Sequence, residues 1–433
     1  MKPIRQENNM ISKIRYMEPE QSRSSFKHIL IWAMAAAFYL YEVALRVAPA
    51  GITDQLMQHF NITSTGLGLL IGAYYWSYVL MQLPCGLILD KFGAQKVIST
   101  SALICGSGTI LFCQADTLAL AVVGRILVGI GSACAFIAAL KVATDWFSPR
   151  RFALIAGLTN MMGTFGGNFA GSPLSYLSEN YGWVNIFTIM GLSGFFIALL
   201  AYLIIEDKPA ESFDNFYKFK RILIALSMNK QIWLAGVVGG ILYLPLTAFA
   251  ELWGVPFLTS VFDGDNFIGS MTTNLIFIGM AVGGPVFAMI SAKMKSYKRI
   301  LQLTTVLAGA ISFMIVFSPF FDRDSVLSLL FLLGFVIGSQ VLVFSLTKVN
   351  VDSNAYGTAM GFTNAIISFV GLLSQVLMGV ILDFVWDGSV SEMGTRIYTV
   401  NAYQYAIIFL PIFMLICMIL LIFVRDKYEK TPA

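Results

Sequence analysis

Charged side chains are scarce in this sequence. Asp, Glu, Lys and Arg make up 12% of its 433 residues, whereas about 25% is usual in a soluble domain. Hydrophobic residues make up 57%, and the mean hydropathy is +0.76. This balance excludes an ordinary soluble domain and predicts a protein that crosses the membrane many times. The net charge of +4 is too small to suggest a nucleic-acid partner.

Residues that bind metals or react covalently are few as well. The two histidines, His28 and His59, lie far apart. The five cysteines lie in apolar runs without metal-site spacing, and we expect them to be small packing residues: Cys85, Cys105, Cys113, Cys134 and Cys417. The sequence has no ATP-binding loop, no His/Asp cluster and no Ser/Lys dyad at helix depth. We therefore expect no metal, no cofactor and no enzyme activity, and an ion gradient as the energy source.

Long apolar runs dominate the chain instead. Twelve of them approach the ~20 residues that a helix needs to cross the hydrocarbon of a bilayer. We number these spans 1 to 12: 28–50, 65–89, 97–115, 118–144, 153–177, 184–205, 231–258, 268–291, 300–320, 325–347, 356–382 and 401–424. They predict an all-α membrane protein with twelve transmembrane helices.

Basic residues fall mostly on one side of these spans. If the N-terminus lies inside and the sides alternate, the inner segments hold 22 Lys and Arg, and the outer loops hold only Arg323 and Arg396. The other four lie within spans or at their ends: Arg46, Arg125, Lys141 and Lys348. This bias follows the positive-inside rule. It predicts a multi-pass membrane protein with both termini in the cytoplasm.

An internal repeat divides the spans into six plus six. Span 5 carries Gly157-Leu-Thr-Asn160, and span 11 carries Gly361-Phe-Thr-Asn364 at the corresponding position. Such repeats predict two pseudo-symmetric six-helix bundles with a binding site between them at mid-depth. The predicted domains are a cytoplasmic tail (1–27), an N-terminal bundle (28–205), a cytoplasmic linker (206–230), a C-terminal bundle (231–424) and a second cytoplasmic tail (425–433).

The turn between spans 2 and 3 reads Gly86-Leu-Ile-Leu-Asp90-Lys91-Phe-Gly93-Ala-Gln95-Lys96. It resembles the loop 2–3 signature of the major facilitator superfamily, although Gln95 stands where a base is usual. Span 4 adds Gly124-Arg125-Ile-Leu-Val-Gly129-Ile-Gly131, similar to a second signature of that family. The resemblance covers nearly the whole chain and implies the major facilitator fold and secondary transport by alternating access.

The resemblance also implies a gate at this turn, formed by Gly86, Asp90, Lys91, Gly93 and Lys96. Asp90 would bind basic groups or a helix end of a neighbour in one conformation and release them in the other. Alternatively, the charged turn only fixes topology. The corresponding turn of the second half has Ala292 where Asp is common, so we expect a weaker latch there.

The run from Tyr74 to Gly86 in span 2 looks like that of bacterial nutrient importers. These include the organic anion symporters and the phagosomal amino-acid transporters. Drug exporters usually carry a Gly-Pro pair in span 5, which here reads Gly163-Thr-Phe-Gly-Gly-Asn-Phe-Ala-Gly171-Ser-Pro173. The resemblance therefore favours uptake over efflux.

Charged residues within the spans are the main candidates for a site, because charge in hydrocarbon is costly to keep. Glu42 and Arg46 share a face of span 1. Arg46 would hold a substrate carboxylate, and Glu42 an ammonium group or the coupling proton; alternatively, the two only neutralise each other. Arg125 would contact substrate or relay protons, or bond helix-end carbonyls within its own half.

Glu251 in span 7 is the second candidate carrier of a proton, and its alternative is a residue exposed at the outer mouth. Pro256 is expected to loosen the same helix. Lys141 and Lys348 would reach the inner headgroups or form an inner gate. The full predicted substrate site is Tyr39, Glu42, Arg46, Tyr75, Gln82, Arg125, Asn160, Tyr243 and Asn364, with Glu42 and Glu251 in proton coupling. The neutral members could instead bond helices to one another.

The mixture of two acids and two bases in the spans favours a zwitterion. We therefore predict proton-coupled uptake of an amino acid or short peptide. An organic anion with a proton is the alternative, and drug or metabolite efflux comes third. A sensor that binds solute without moving it is the hypothesis from another class, although the short tails leave no output domain for it. The expected partners are the solute, protons and the lipid bilayer, with the chain acting as a monomer.

Overall fold

The computed structural model describes residues 4–147, 149–207, 216–351, 355–391 and 394–426. The other residues of the predicted tails and linker lie outside the described chain. The helices run Ile4–Val47, Thr53–Phe60, Ser64–Cys113, Leu118–Ser132, Ala135–Trp146, Pro149–Ala170, Ser172–Tyr181, Trp183–Ile204, Phe216–Ser227, Lys230–Leu244, Gly254–Val261, Asn266–Met294, Tyr297–Val316, Arg323–Ile337, Leu342–Val349, Tyr356–Phe384, Val400–Ile407 and Phe409–Phe423. Short 3-10 turns cover Ala48–Ile52, Ser318–Phe320 and Gly338–Val341, and a π-helical turn covers Pro245–Trp253.

Ten of the described helical segments are long and apolar enough to cross a membrane. One of them, Ser64–Cys113, contains both span 2 and span 3. Gly93, with a φ of 81°, breaks the helix between the two spans. Span 5 is a further crossing, made of the helices Pro149–Ala170 and Ser172–Tyr181 on either side of Gly171. The prediction of twelve transmembrane helices is confirmed.

Local sequence sets where many of these helices begin. Six of them start after a Ser, Thr or Asp whose side chain accepts a hydrogen bond from a backbone N–H of the first turn: Thr63, Thr117, Asp265, Ser296, Asp322 and Thr399. Such caps satisfy N–H groups that have no partner within the helix. The polar residues that separate the apolar runs therefore determine where these helices begin.

The glycines of the span 4 signature pack this helix onto spans 2 and 3. A side chain at Gly124 would collide with the backbone of Gly108, and one at Gly129 would collide with the carbonyl of Tyr74. Gly131 lies equally close to the carbonyl of Ser101. Only glycine permits backbones to approach this closely. The signature that indicates the family is therefore a packing motif of the first six spans.

The six spans of each half pack mainly on one another. Between the halves, span 2 packs along span 11, and span 5 packs along span 8. We name the two ends of the molecule by their acids: the Asp90 end holds the turn between spans 2 and 3, and the Asp383 end lies opposite.

The halves are closed against each other at the Asp383 end. A side chain at Gly68 of span 2 would lie 2.9 Å from the carbonyl of Gln375 in span 11. On the other side, the hydroxyl of Ser270 donates to that of Ser172 at 3.0 Å, linking spans 8 and 5. Toward the Asp90 end, Gly86 and Gly157 face open space, since no atom of the described residues lies within 4 Å of an added Cβ.

Two cysteines differ from the expectation that all five are simple packing residues. Cys85 of span 2 and Cys134 of span 4 form a disulfide with their Cα atoms 5.5 Å apart. The remaining cysteines are free and buried: Cys105, Cys113 and Cys417. The sequence gives no sign of the pair, because its two members belong to different apolar runs that meet only in the fold.

Candidate substrate site

An ion pair joins the two halves of the protein within the membrane-spanning part. Arg46 Nε of span 1 lies 3.4 Å from Glu251 Oε1 of span 7. The Glu251 side chain is 1% exposed, and that of Arg46 is 11% exposed. Two predicted site residues from opposite halves are thus brought together, and charge in this setting is costly unless it is paired.

Glu251 lies in the π-helical turn Pro245–Trp253. Proline has no N–H to give to the preceding turn, so a widened turn after Pro245 has a local cause, and such turns are frequent at functional sites. Pro256 follows this turn, in the helix Gly254–Val261, and its expected loosening of span 7 stays a prediction.

Glu42 has a different partner from the one its spacing suggests. The hydroxyl of Tyr74 donates to Glu42 Oε2 at 3.1 Å, while Arg46 pairs with Glu251. Tyr75, the neighbour of Tyr74, donates to Glu251 Oε2. Two adjacent tyrosines of span 2 therefore each hold one of the two intramembrane carboxylates.

Arg125 lies behind this layer. Its Nη1 donates to the carbonyl of Leu45 at 3.2 Å, which is the helix-carbonyl contact expected from the alternative role. Its guanidinium also lies 5.1 Å from the ring centre of Tyr74 and 5.9 Å from that of Phe112, within the range of cation–π attraction. Span 4 thus places the buried guanidinium of Arg125 against the ring of Tyr74, whose hydroxyl binds Glu42.

Several charged atoms of this cluster lack a hydrogen-bond partner among the described residues. They are Arg46 Nε, Glu251 Oε1, and both Nε and Nη2 of Arg125. A buried polar group without a partner costs about 1–3 kcal/mol, and more when it is charged. The arrangement therefore has donors available for an anion or for water.

The neutral candidates lie toward the Asp90 end of the same cluster. Tyr78 lies within reach of the side chains of Gln82 and Asn364, and Gln82 Nε2 also donates to the carbonyl of Ala133 at 3.2 Å. Tyr39 and Tyr243 lie close enough to each other and to Arg46 to interact electrostatically. The structure thus gathers these predicted residues from spans 1, 2, 7 and 11.

Asn160 differs in burial from its counterpart in the repeat. It is exposed on span 5, whereas its counterpart in the repeat, Asn364, is half-buried near Tyr78. Its role in binding stays a prediction.

At the Asp90 end, the predicted gate residues have contacts within the first half. Lys141 Nζ of span 4 donates to Asp90 Oδ1 at 3.2 Å, and the same amine lies 3.9 Å from Asp145. Gly93 takes a φ of 81° that few other residues adopt. Lys91 and Lys96 are exposed. Lys141 is thus engaged by the signature acid, and the gating role of these residues stays a prediction.

Gln95, which replaces the usual base of the signature, has a contact that sequence reasoning missed. Its backbone N–H donates to Asp207 at 3.0 Å, and its side chain donates to the carbonyl of Tyr202 at 2.8 Å. Both acceptors lie at the end of span 6. The turn between spans 2 and 3 is therefore anchored to the same half. The signal for this was Asp207 itself, an acid directly after an apolar span.

The fold and the site together define a polytopic membrane transporter rather than an enzyme. The family model of the Major Facilitator Superfamily matches residues 29–375, and the chain belongs to that family. The resemblance predicted from the turn after span 2 is confirmed.

Several relatives are named as probable transporters of acids. The chain is 27% identical over 185 residues to the probable galactarate/D-glucarate transporter GarP of Escherichia coli, an alignment that covers 41% of each chain. It is 23% identical over 393 residues to the probable sulfoacetate transporter SauU of Cupriavidus necator, covering 84% of this chain and 89% of the relative. The first match thus spans less than half of the relative, and the second spans most of it.

Among solved structures, the chain resembles a bacterial homologue of the human lysosomal transporter Spinster, described as inward-facing and occupied. The TM-score is 0.71 at 15% sequence identity, over 91% of this chain and 96% of the other. At this identity the likeness establishes the fold.

Proposed function

We propose that this protein is a proton-coupled symporter that takes up a small organic anion by alternating access. The observation that carries the proposal is the pairing of Arg46 with Glu251 across the two halves. The names of the relatives support an acidic solute, because one is named for galactarate and D-glucarate and another for sulfoacetate.

Arg46 is the charged residue that an entering anion would reach. Its side chain is 11% exposed, whereas Glu42, Glu251 and Arg125 are at most 2% exposed. Half-exposed tyrosine and amide side chains lie toward the Asp90 end, where they could bind hydroxyl groups of the solute: Tyr39, Tyr243 and Asn364. A carboxylate that enters from the Asp90 end would therefore meet Arg46 first.

Competition for Arg46 would couple the anion to a proton. A solute carboxylate and the Glu251 carboxylate repel each other when both are ionised next to one guanidinium. A proton on Glu251 removes that repulsion and frees Arg46 for the solute. When the solute leaves, Glu251 loses its proton and pairs with Arg46 again. Glu42, held by Tyr74, is the second proposed site for a proton.

Arg125 would act on the site through Tyr74 rather than as the first contact, since the ring of Tyr74 lies against its guanidinium. Its unpartnered Nε and Nη2 can bind water or a second anionic group once the site is occupied. This places a positive charge behind the carboxylate that Arg46 holds.

Uptake of an amino acid or short peptide is the competing proposal. The carboxylate that an ammonium group would need, Glu42, is 1% exposed and bound to Tyr74. Neither of the two relatives reported above is named for an amino acid or a peptide. Efflux has no observation in its favour, and membership of a transporter family argues against a sensor that moves nothing.

We further propose that the Asp90 end faces the cytoplasm, that both termini lie there, and that the protein works as a monomer in a bacterial inner membrane. The distribution of Lys and Arg supports this orientation. The bundles are proposed to extend over 28–205 and 231–424, joined by the linker 206–230, which contains the helix Phe216–Ser227.

A binding screen of the purified protein separates the solute classes. Sugar acids, sulfonates, amino acids and short peptides are compared by the shift in melting temperature, because a ligand at a hundredfold its Kd stabilises the protein by about 2.7 kcal/mol. An organic acid that raises the melting temperature, with amino acids inactive, is the expected result. The reverse pattern would replace the organic anion by the competing proposal.

Proton coupling is then tested in proteoliposomes with an imposed pH gradient. Glu251→Gln is expected to reduce gradient-driven accumulation of the solute by about tenfold or more, because neutral Gln can neither release a proton nor compete for Arg46. Exchange of labelled solute without a gradient should persist. The matched control is Glu206→Gln, a half-exposed carboxyl paired with Lys27 at the Asp90 end. Full gradient-driven accumulation in Glu251→Gln would contradict the coupling role.

A further inference from the structure

The carboxylate of Asp383, at the end of span 11, binds a helix of the opposite half. Its Oδ2 accepts a hydrogen bond from the backbone N–H of Thr65, the second residue of the helix Ser64–Cys113, at 2.8 Å. Its Oδ1 accepts from Arg396 Nη1 at 3.2 Å and from the Tyr398 hydroxyl at 2.5 Å. One acid of the second half thus caps the start of a helix of the first half.

Tyr398 makes a second link between the halves. Its oxygen accepts a hydrogen bond from the backbone N–H of Ser64 at 3.2 Å, while its hydroxyl donates to Asp383. Burial and the hydrogen bond to Asp383 raise the pKa of Tyr398. The hydroxyl therefore stays a donor at neutral pH. The N–H groups of Ser64 and Thr65, the first two of the helix Ser64–Cys113, thus both bind residues of the second half.

The loop between spans 11 and 12 is shaped to hold this arrangement. Val390 and Arg396 form an antiparallel bridge, and Gly388 adopts a φ of 93° in the turn. The Arg396 guanidinium also lies 4.1 Å from the ring centre of Trp386. Contacts within the second half thus hold Arg396 beside Asp383, and these contacts do not involve span 2.

The chemistry of this cap suits a contact that must be made and broken. The start of a helix carries unpaired N–H groups and a partial positive charge, which attract a carboxylate. When the halves separate at this end, water can satisfy the N–H groups of Ser64 and Thr65. Asp383 keeps Arg396 and Tyr398, so no bare charge remains. Release therefore costs little more than the two bonds across the halves.

We propose that Asp383 is a gating residue: a releasable cap on span 2 that holds the Asp383 end closed during alternating access. It would do for this end what Asp90 is expected to do for the other. The proposal does not depend on the identity of the solute or on proton coupling.

The test is the rate at which a cysteine beneath the cap reacts with a maleimide. Leu372 of span 11 is buried against Gly72 of span 2, so Leu372→Cys reports opening of this end. The reporter is placed in full-length protein whose native cysteines are replaced, reconstituted in nanodiscs so that both ends are accessible. Asp383→Asn keeps the shape of the side chain and is expected to raise the labelling rate about tenfold, the equivalent of one charge-assisted bond of about 1.4 kcal/mol.

Two controls separate a gate from general loosening. Asp322→Asn weakens a cap of the same kind within the second half, where Asp322 accepts from the N–H of Ser325, and it should leave labelling of Cys at position 372 unchanged. A second reporter, Met161→Cys, lies exposed on span 5 toward the Asp90 end. Its labelling should stay constant or fall when Asp383 is changed.

An unchanged rate for Asp383→Asn would overturn the proposal. So would equal increases for Asp383→Asn and Asp322→Asn, or a parallel increase at position 161, because each outcome indicates a loosened fold. If Asp383→Asn lowers the yield of folded protein, Thr65→Pro removes the same N–H from the first turn, where proline is tolerated. It must then raise the labelling rate by itself.

Discussion

The two ends of the molecule hold their acids in different ways. At the Asp90 end, Asp90 binds Lys141 and Asp207 binds Gln95, and none of these four residues belongs to the second half. At the opposite end, Asp383 binds Thr65 across the halves. Similar acid chemistry therefore stabilises a single half at one end and the contact between halves at the other.

The difference identifies which contacts must change during transport. Ser172 and Ser270 on one side, and Asp383 and Thr65 on the other, join the halves at the closed end. Between them lies the pair of Arg46 and Glu251, which also crosses the halves. Toward the Asp90 end, Gly86 and Gly157 have open space beside them. We infer that a solute released or admitted in this conformation passes the Asp90 end.

The largest effect is expected from breaking the central pair on one side only. Arg46→Gln leaves Glu251 buried without its cation, which typically costs about 3–5 kcal/mol. Transport and melting temperature should both fall strongly. The double variant with Glu251→Gln removes both charges, and it should regain most of the melting temperature while transport stays lost. A double variant no more stable than Arg46→Gln would show that an unpaired Glu251 carboxylate is not the cause of the lost stability.

Two glycines of the same turn test how the Asp90 end is stabilised. A side chain at Gly93 would collide with the carboxylate of Asp207 and would require a positive φ. Gly93→Ala should therefore destabilise the protein by about 1–3 kcal/mol in thermal or denaturant unfolding. Gly86→Ala meets open space and should leave the melting temperature unchanged.

Transport by Gly86→Ala carries further information. If this end closes through approach of span 2 to the other half, the added methyl group will slow turnover despite normal stability. Wild-type rates in that variant would show that Gly86 never enters a close contact.

The smallest effect on stability is expected at Asp90. The side chains of Asp90 and Lys141 are about one third exposed, and such pairs contribute roughly 0–1 kcal/mol, less at high salt. Asp90→Asn should therefore change the melting temperature by little and slow transport several-fold, if Asp90 must exchange partners. A melting temperature that drops as far as in Gly93→Ala would assign Asp90 a structural role instead.

Much of the fold was predictable from the sequence because each span carries its own signal in length and hydropathy. Arg46 and Glu251 were also identified as candidates, since charge within an apolar run is visible locally. Their pairing was not, because it depends on how the two halves meet. The same holds for Asp383, which reads as an ordinary residue at a span end and gains its role only through Thr65.

The internal repeat was a weaker guide to the site than to the fold. It paired Asn160 with Asn364, but Asn160 is exposed, whereas Asn364 is half-buried near Tyr78. A conformation closed at one end and open at the other places equivalent positions of the two halves in different surroundings. Symmetry in the sequence therefore predicts the architecture, whereas the site is asymmetric.

Span 2 carries both Thr65 and Asp90, one near each end of the same helix. At 1.5 Å per residue, these positions lie roughly 40 Å apart. The hydrogen bond from Gln82 to Ala133 and the link from Cys85 to Cys134 attach this helix to span 4 on both sides of Pro84. Spans 2 and 4 are therefore held together as parts of one half, and a tilt of that half moves the two ends of span 2 in opposite directions. A tilt that lifts Thr65 away from Asp383 would swing Asp90 toward the other half, so one rotation could unlock one entrance and shut the other.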